Sequence, residues 1–257
     1  MSARITACVL QKGGTGKSST AHALSAGLIT RGHRVLVCDL DAQGNISQSM
    51  RASTGGRGLF EALNGEPVIE LIQSTEQGDI LSSSQRLTVA DKTFVEFGME
   101  YLLSESLAQV NDSYDYIILD CPPQLGVITA NALVAASDLI IPVTSDMYAM
   151  SGLGLLLTNI EKVKVRANPE LRIDGILLTK YSNRSVLSRD LKEAIETKAN
   201  EMGTRVYKAI IRDGVSIREA QAQRMNIFEY APESNPAKDY ANFISEYLNE
   251  GGGVDVS

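Results

Sequence analysis

Short, continuous apolar runs alternate along the chain with longer stretches of helical character, and that rhythm predicts the fold. Residues 5–10 form an apolar run that ends in a glycine-rich segment, and residues 18–31 (ending AHALSAGLITR) read as a helix. Gly32-His33 turns the chain into residues 34–39, where VLVC reads as a buried strand. Strand, loop, helix and strand in sequence make a βαβ unit, whose crossover is right-handed. The same kind of run recurs at 116–120 (YIILD), 138–143 (DLIIPV) and 172–179 (RIDGILLT). Helical stretches fall at 127–136, 151–165, 185–201 and 236–248. Runs rich in Val, Ile and Leu suit a parallel sheet covered on both faces. The expected fold is therefore α/β, a doubly wound, mostly parallel twisted sheet with helices on both faces. A single domain over residues 1–249 accounts for the pattern, and 250–257, with three consecutive glycines, is expected to be a disordered tail.

Composition narrows the class. The 257 residues are 44% hydrophobic, enough for one sizeable core, and no apolar run reaches the length of a membrane span. With no charged-then-apolar leader pattern, a cytoplasmic location is expected. Cys8, Cys38 and Cys121 are widely spaced and sit in or beside apolar runs, which predicts buried thiols rather than a disulfide or zinc site. A net charge of −7 excludes a wholly basic nucleic-acid binder. The charge is uneven, however: residues 180–224 hold ten Lys/Arg against six Asp/Glu.

The candidate chemistry begins at Lys12-Gly13-Gly14-Thr15-Gly16-Lys17-Ser18-Ser19. An ordinary P-loop reads G-x-x-x-x-G-K-[ST]. Here Gly16-Lys17-Ser18 supplies the second half, Gln11 stands at the first glycine position, and an additional lysine, Lys12, opens the run. Lys17 is expected to reach the β- and γ-phosphates and the Ser18 hydroxyl to ligate Mg²⁺. The amides from Gly14 to Ser19 complete an anion site at a helix N-terminus. Two further strands end in carboxylates. Asp120 closes an apolar strand where a Walker B carboxylate belongs, followed by Cys121-Pro122-Pro123-Gln124-Leu125-Gly126, a stiff-then-flexible loop suited to sensing a γ-phosphate. Asp39 and Asp41 close another, and either one could join the metal shell while the other faces the attacking water.

The segments KGGTGKSS, DLDAQGN and DCPPQLGVITANALVAASDLIIPV resemble the deviant Walker A, Walker A′ and Walker B regions of the ParA/Soj partition ATPases, within the wider ParA/MinD group. The likeness extends through GLFEALNG, SGLGLLLTNI and the C-terminal IREAQAQRMNIFEYAPESNPAKDYANF, so it covers nearly the whole chain. The resemblance implies a slow, partner-stimulated Mg²⁺-dependent ATPase that forms an ATP-dependent homodimer. Lys12 would be the signature lysine, crossing a nucleotide sandwich to the phosphates held by the other subunit, as an arginine finger does. Asp41 would position the attacking water, and Asp39 and Asp120 would support Mg²⁺ with Ser18. Thr179-Lys180 and the loop from Ile211 through Arg212 and Asp213 to Gly214 are the candidates for adenine contact by their position after strands. Departures from the family pattern are Thr15 for a small aliphatic residue, Ser18-Ser19 for a threonine pair, Ala42 for proline, and the absence of a Pro-Arg pair at 211–214.

ParA relatives bind DNA without sequence preference as ATP-bound dimers and release it when a ParB-type partner stimulates hydrolysis. The resemblance therefore implies nucleoid association, with Arg184, Arg189, Lys192, Arg218 and Arg224 as candidate phosphate contacts. The alternative is a MinD-like membrane-associated positioning ATPase. That reading needs a basic amphipathic helix at the C-terminus, whereas the chain ends NEGGGVDVS, so no membrane partner is expected.

Overall fold

The computed structural model describes residues 2–146, 149–181 and 186–249. Seven strands form one sheet in the order β3-β4-β2-β5-β1-β6-β7. They are β1 (Arg4–Cys8), β2 (Val35–Asp39), β3 (Gln73–Thr75), β4 (Gly78–Leu81), β5 (Tyr116–Asp120), β6 (Asp138–Thr144) and β7 (Arg172–Thr179). All neighbours are parallel except β3, which turns back antiparallel on β4 at the sheet edge. The helices are α1 (Lys17–Thr30), α2 (Asn45–Ser49), α3 (Leu59–Leu63), α4 (Ala90–Thr93), α5 (Leu102–Ala108), α6 (Val127–Ala135), α7 (Ala149–Arg166), α8 (Val186–Glu201), α9 (Val215–Gln223), α10 (Ile227–Tyr230) and α11 (Asn235–Tyr247).

The strands alternate strictly between two cores, as a pleat of period two requires. Leu36 and Cys38, Ile117 and Leu119, Leu139 and Ile141, and Ile176 and Leu178 face one core, with α5, α6, α7 and α8. Val35 and Val37, Cys8, Ile118, Ile140 and Leu177 face the other, with α1 and α11. Burial on both faces explains why the strands read as unbroken apolar runs. The expected thiol burial also holds for all three cysteines. Pro142 sits inside β6, yet β1 pairs with β6 only as far as Ile140, so the missing N–H falls beyond its partner strand.

Helix α1 is buried nearly all round, from Thr20 to Leu28. Gly27 permits this: a Cβ there would lie 2.3 Å from Ile244 Cδ1 on α11. Helix α11 is amphipathic, but Tyr240, Phe243, Ile244 and Tyr247 are all buried in the core, so its apolar face already has a partner. No helix among the described residues is long and apolar enough to cross a membrane. Residues 250–257, expected as a tail, lie outside the described residues.

β1 lies between β5 and β6, and the chain leaves it towards opposite halves of the sheet. Such a switch point opens a crevice at the carboxyl ends of the strands. The glycine-rich loop follows β1 directly there. In register beside it stand Cys8 opposite Asp120 and Asp39 opposite Asp120, which brings both strand-end carboxylates to one edge.

Candidate nucleotide site

The loop after β1 curls over the start of α1. Gly14 (φ 75°) and Gly16 (φ 88°) adopt left-handed conformations that glycine alone takes without strain. Gly16 caps α1 with no side-chain bond, so the first-turn N–H groups stay available to an anion. The loop is braced from β7: Thr179 Oγ1 donates to the Thr15 carbonyl at 2.7 Å. Lys17 is buried, and its Nζ donates to the Lys12 carbonyl at 2.8 Å. Burial lowers its pKa, opposed by the negative charges of Asp120 and Asp41.

A cavity of about 470 Å³ opens over this loop, walled by Gly13, Gly14, Gly16, Lys17, Ser18 and Ser19, by Asp41 and Gln43, and by Pro123, Lys180 and Gln221. Most of the residues expected to hold phosphate therefore converge. A smaller cavity of about 70 Å³ continues from it between Thr179, Lys180, Ile211, Asp213 and Gly214. The two segments expected at the base are thus neighbours, joined where the Tyr181 N–H donates to the Ile211 carbonyl at 3.1 Å.

Arg212 departs from expectation. Its guanidinium is bound to Asp239 at 2.6 and 2.8 Å, and its N–H bonds the same carboxylate, so it braces α11 rather than lining either cavity. Gln221 was not foreseen. It reaches from α9 to donate to Ser19 Oγ at 3.0 Å and borders both cavities. Nothing in the AQAQ segment distinguishes it from an ordinary exposed glutamine.

The two strand-end carboxylates differ in kind. Asp39 is fully buried, and three donors occupy its oxygens: the Asp41 N–H (3.2 Å), the Ser47 N–H (2.9 Å) and Ser47 Oγ (2.6 Å). These bonds build the loop that carries Asp41. Asp120 is equally buried, but neither oxygen has a hydrogen bond of good geometry. Burial and the neighbouring Asp39 push its pKa well up, while the nearby Ser18 hydroxyl and Lys17 pull it down. Burial likewise raises Asp39, offset by the Ser47 bonds. A buried carboxyl with empty lone pairs, a hydroxyl beside it and a phosphate cradle adjacent suits a hard cation that keeps most of its water. Ser18 and Asp120 fit Mg²⁺; Asp39 has three of its acceptor sites taken, with one donor on Oδ1 and two on Oδ2.

Asp41 lies on the cavity wall, with Oδ1 accepting from the Gln43 N–H at 3.0 Å. Pro123 lines the same cavity, and Pro122 and Gly126 line an adjoining one of about 310 Å³ that shares Asp41 and Gln43. Lys12 does not line the nucleotide cavity of its own chain; it forms an ion pair with Asp146, which also accepts from Thr144 Oγ1 at 2.6 Å.

Of the expected DNA contacts, Arg189 and Lys192 lie on α8, Arg218 lies on α9 and Arg224 caps its C-terminus. Arg189 and Arg224 are exposed, Arg218 is 3.8 Å from Asp213, and Lys192 is 3.6 Å from Glu196. Helix α8 itself carries Arg189, Lys192 and Lys198 against Asp190, Glu193, Glu196 and Glu201. Arg184 lies outside the described residues.

Residues 3–173 match the family model described as an AAA domain. The chain is 34% identical over 238 residues to the chromosome-partitioning ATPase Soj of Thermus thermophilus, covering 93% of this chain and 92% of that one. The chain belongs to the ParA/Soj family. The sporulation initiation inhibitor protein Soj of Bacillus subtilis is also 34% identical, over 96% of this chain and 99% of its own. Among solved structures, cobyrinic acid a,c-diamide synthase from Mycobacterium smegmatis with bound ADP and magnesium superposes with a TM-score of 0.80 at 28% identity, over 98% and 97% of the two chains. A plasmid partition protein from Borrelia burgdorferi bound to AMPPNP shares the fold, with a TM-score of 0.79 at 23% identity, over 97% and 99%. ParA/Soj membership agrees with the motifs, and the P-loop ATPase fold agrees with the doubly wound expectation.

Proposed function

We propose that this protein is a Mg²⁺-dependent ParA-like ATPase that serves DNA segregation, cycling between an ATP-bound homodimer on DNA and a released state. The observation that carries the reading is the placement of Asp41 and Lys17 on one cavity while Lys12, the surplus cation, stands outside it. Soj relatives covered over nine-tenths of both chains support partition over the metabolic activity of the synthase neighbour, whose likeness argues for nucleotide and fold.

In this reading the loop amides and Lys17 hold the β- and γ-phosphates, and Lys180, Asp213 and Ile211 flank the base. Bound Mg²⁺ supplies charge neutralisation across the phosphates. Asp41 orients a water whose oxygen bonds to the γ-phosphorus as the bond to the bridging oxygen breaks. The electron pair leaves with ADP, and Asp41 accepts the water proton. In the dimer Lys12 exchanges Asp146 for the partner's phosphates, adding positive charge where the transition state gains negative charge. A ParB-like centromere-binding protein would stimulate this step, and the exposed arginines would contact DNA phosphates without sequence preference. A cytoplasmic, nucleoid-associated location follows from the same reading. A MinD-like membrane cycle is less well supported, since the apolar face of α11 is buried in the core.

Size-exclusion chromatography with ATP and Mg²⁺ tests the proposal. The wild type should dimerise, Asp41→Ala should stay trapped as a dimer, and Lys12→Ala should lose dimerisation or hydrolysis. Unchanged behaviour of the Lys12 variant would refute the sandwich. DNA co-sedimentation of the ATP-bound form, weakening steeply with salt, tests the second half.

A further inference from the structure

Four residues, Asp39 and Asp41 at the end of β2, Ser47 in α2 and Ser83 just after β4, form a closed hydrogen-bonded ring beside the nucleotide cavity. Ser47 donates from N and Oγ to Asp39 Oδ2, and Ser47 Oγ accepts from the Ser83 N–H at 3.0 Å. Ser83 Oγ donates to the Asp41 carbonyl at 2.5 Å, and the Asp41 N–H returns to Asp39 Oδ1 at 3.2 Å. Every donor in the circuit has one acceptor. Ser47 and Ser83 are both essentially buried.

We infer that Ser83 is a positioning residue for hydrolysis, acting through the backbone of Asp41; the inference rests on the reading of Asp41 as the residue that orients water. The Asp41 carbonyl accepts from Ser83 Oγ and from the Gly44 N–H (2.8 Å), while the N–H is held by Asp39. Both peptide groups flanking the Asp41 Cα are thereby fixed, leaving the carboxylate only its side-chain torsions. The Gly44 bond closes the turn upon itself. The Ser83 bond ties that turn to the segment following β4, an element outside the loop. Without it the turn loses its anchor and loosens, so that its closing bond opens more often and the carboxylate can drift relative to the phosphate cradle. Phosphate binding uses the loop after β1, which Ser83 does not touch, so turnover and affinity should separate. The adjacent Ser84 provides the contrast: it is buried, and its Oγ has no hydrogen-bond partner among the described residues.

The test measures kcat, the Kd of a non-hydrolysable ATP analogue with Mg²⁺, and amide exchange at Gly44 in nucleotide-free protein. In Ser83→Ala, kcat should fall about tenfold, a modest misplacement on the scale of positioning effects, with analogue Kd within about twofold. The Gly44 amide should exchange faster. Ser83→Cys, which keeps a weak donor on a slightly larger side chain, should be intermediate and carries the test if the alanine variant does not fold. Ser84→Ala should match the wild type in all three readouts. Wild-type kcat in both Ser83 variants, alongside an inactive Asp41→Ala, overturns the inference and leaves the function standing. Loss of analogue affinity as large as the loss of kcat overturns it too, as general damage to the site. Wild-type hydrolysis by Asp41→Ala removes the underlying reading of Asp41, and the inference with it.

Discussion

Asp120→Asn should make the nucleotide-free protein more stable while abolishing its response to Mg²⁺. The carboxylate is fully buried at the end of β5, beside Asp39, with no well-formed hydrogen bond on either oxygen. Three effects disfavour its charge, burial and the Asp39 and Asp41 carboxylates; two favour it, Ser18 and Lys17. The first three dominate, since the net shift is well upward. Asparagine keeps the shape and one acceptor for Ser18 while removing the charge. A buried polar group left unmatched costs about 1–3 kcal/mol, more when charged, so relief of that order is expected. For a chain of this size it raises Tm by about 3–9 °C. Saturating Mg-ATP at about 100 times its Kd should stabilise the wild type by about 2.7 kcal/mol. The variant should lose the increment that Mg²⁺ adds over ATP alone. Differential scanning fluorimetry at pH 7 on four samples per protein (free, Mg²⁺, ATP, Mg-ATP) checks both halves. A variant no more stable than the wild type when free, or one that keeps the full Mg²⁺ increment, refutes the assignment of Asp120 as the unsatisfied metal-facing group.

Two further outcomes follow from other parts of the molecule. His22 is buried in α1 and bonded to Gln77 Oε1 at 3.0 Å, and burial lowers its pKa from 6.5 to about 4. The unfolded chain therefore binds the extra proton first as pH falls, so the stability present above pH 6.5 drains towards pH 4. Its loss amounts to about 3 kcal/mol; His22→Gln should flatten this part of the acid limb in urea melts at stepped pH. At the start of α6, the Val127 N–H donates to Asp91 Oδ1 at 2.7 Å, and a Cβ on Gly126 would lie 2.4 Å from that oxygen. Gly126→Ala should displace this cap in the wild type and do nothing comparable in an Asp91→Ala background. A double-mutant cycle should then show a coupling of about 1 kcal/mol, and strict additivity would contradict the contact.

The central strands were legible because they are buried on both faces and punctuated by the residues that function requires. β5 ends at Asp120 and β7 at Thr179, as their apolar runs indicate. The region between 45 and 115 was not legible. Its helices α2, α3 and α4 have four or five residues, too few to show a period, and β3 reads Gln-Ser-Thr. These elements exist because neighbours complete them: Glu61 bonds the Gly58 N–H at 2.7 Å to open α3, and Gln73 reaches Ser82 Oγ at 2.8 Å. At the site, the phosphate loop was readable because its chemistry is local in sequence. Arg212 was misplaced because its partner, Asp239, is remote and nothing in either segment announces the pair. The bonds of Asp39 were illegible for a related reason: a strand-end aspartate beside a P-loop looks the same in sequence whether or not its oxygens accept from the N–H and hydroxyl of a residue such as Ser47.

These corrections divide the site into two halves with opposite character. Around Asp39 both carboxylate oxygens accept hydrogen bonds, and the ring through Ser47 and Ser83 fixes the Asp41 turn before any ligand arrives. Around Asp120 the hydrogen bonding is incomplete, with both carboxylate oxygens empty near a buried lysine. Preorganisation is useful where charge develops during reaction, because no reorganisation is then needed at the moment of transfer. Imbalance is useful where binding must be read out, because a ligand that relieves it binds one state in preference to others and so shifts a population. In the proposed cycle, then, Asp41 times hydrolysis from a rigid turn, while Asp120 and Lys17 make the fold sensitive to whether Mg-ATP is present. Lys12 pairs with Asp146 through its side chain while its carbonyl accepts from Lys17 Nζ at 2.8 Å, so the lysine proposed to serve a second subunit is tied through its backbone to the half that reads Mg-ATP.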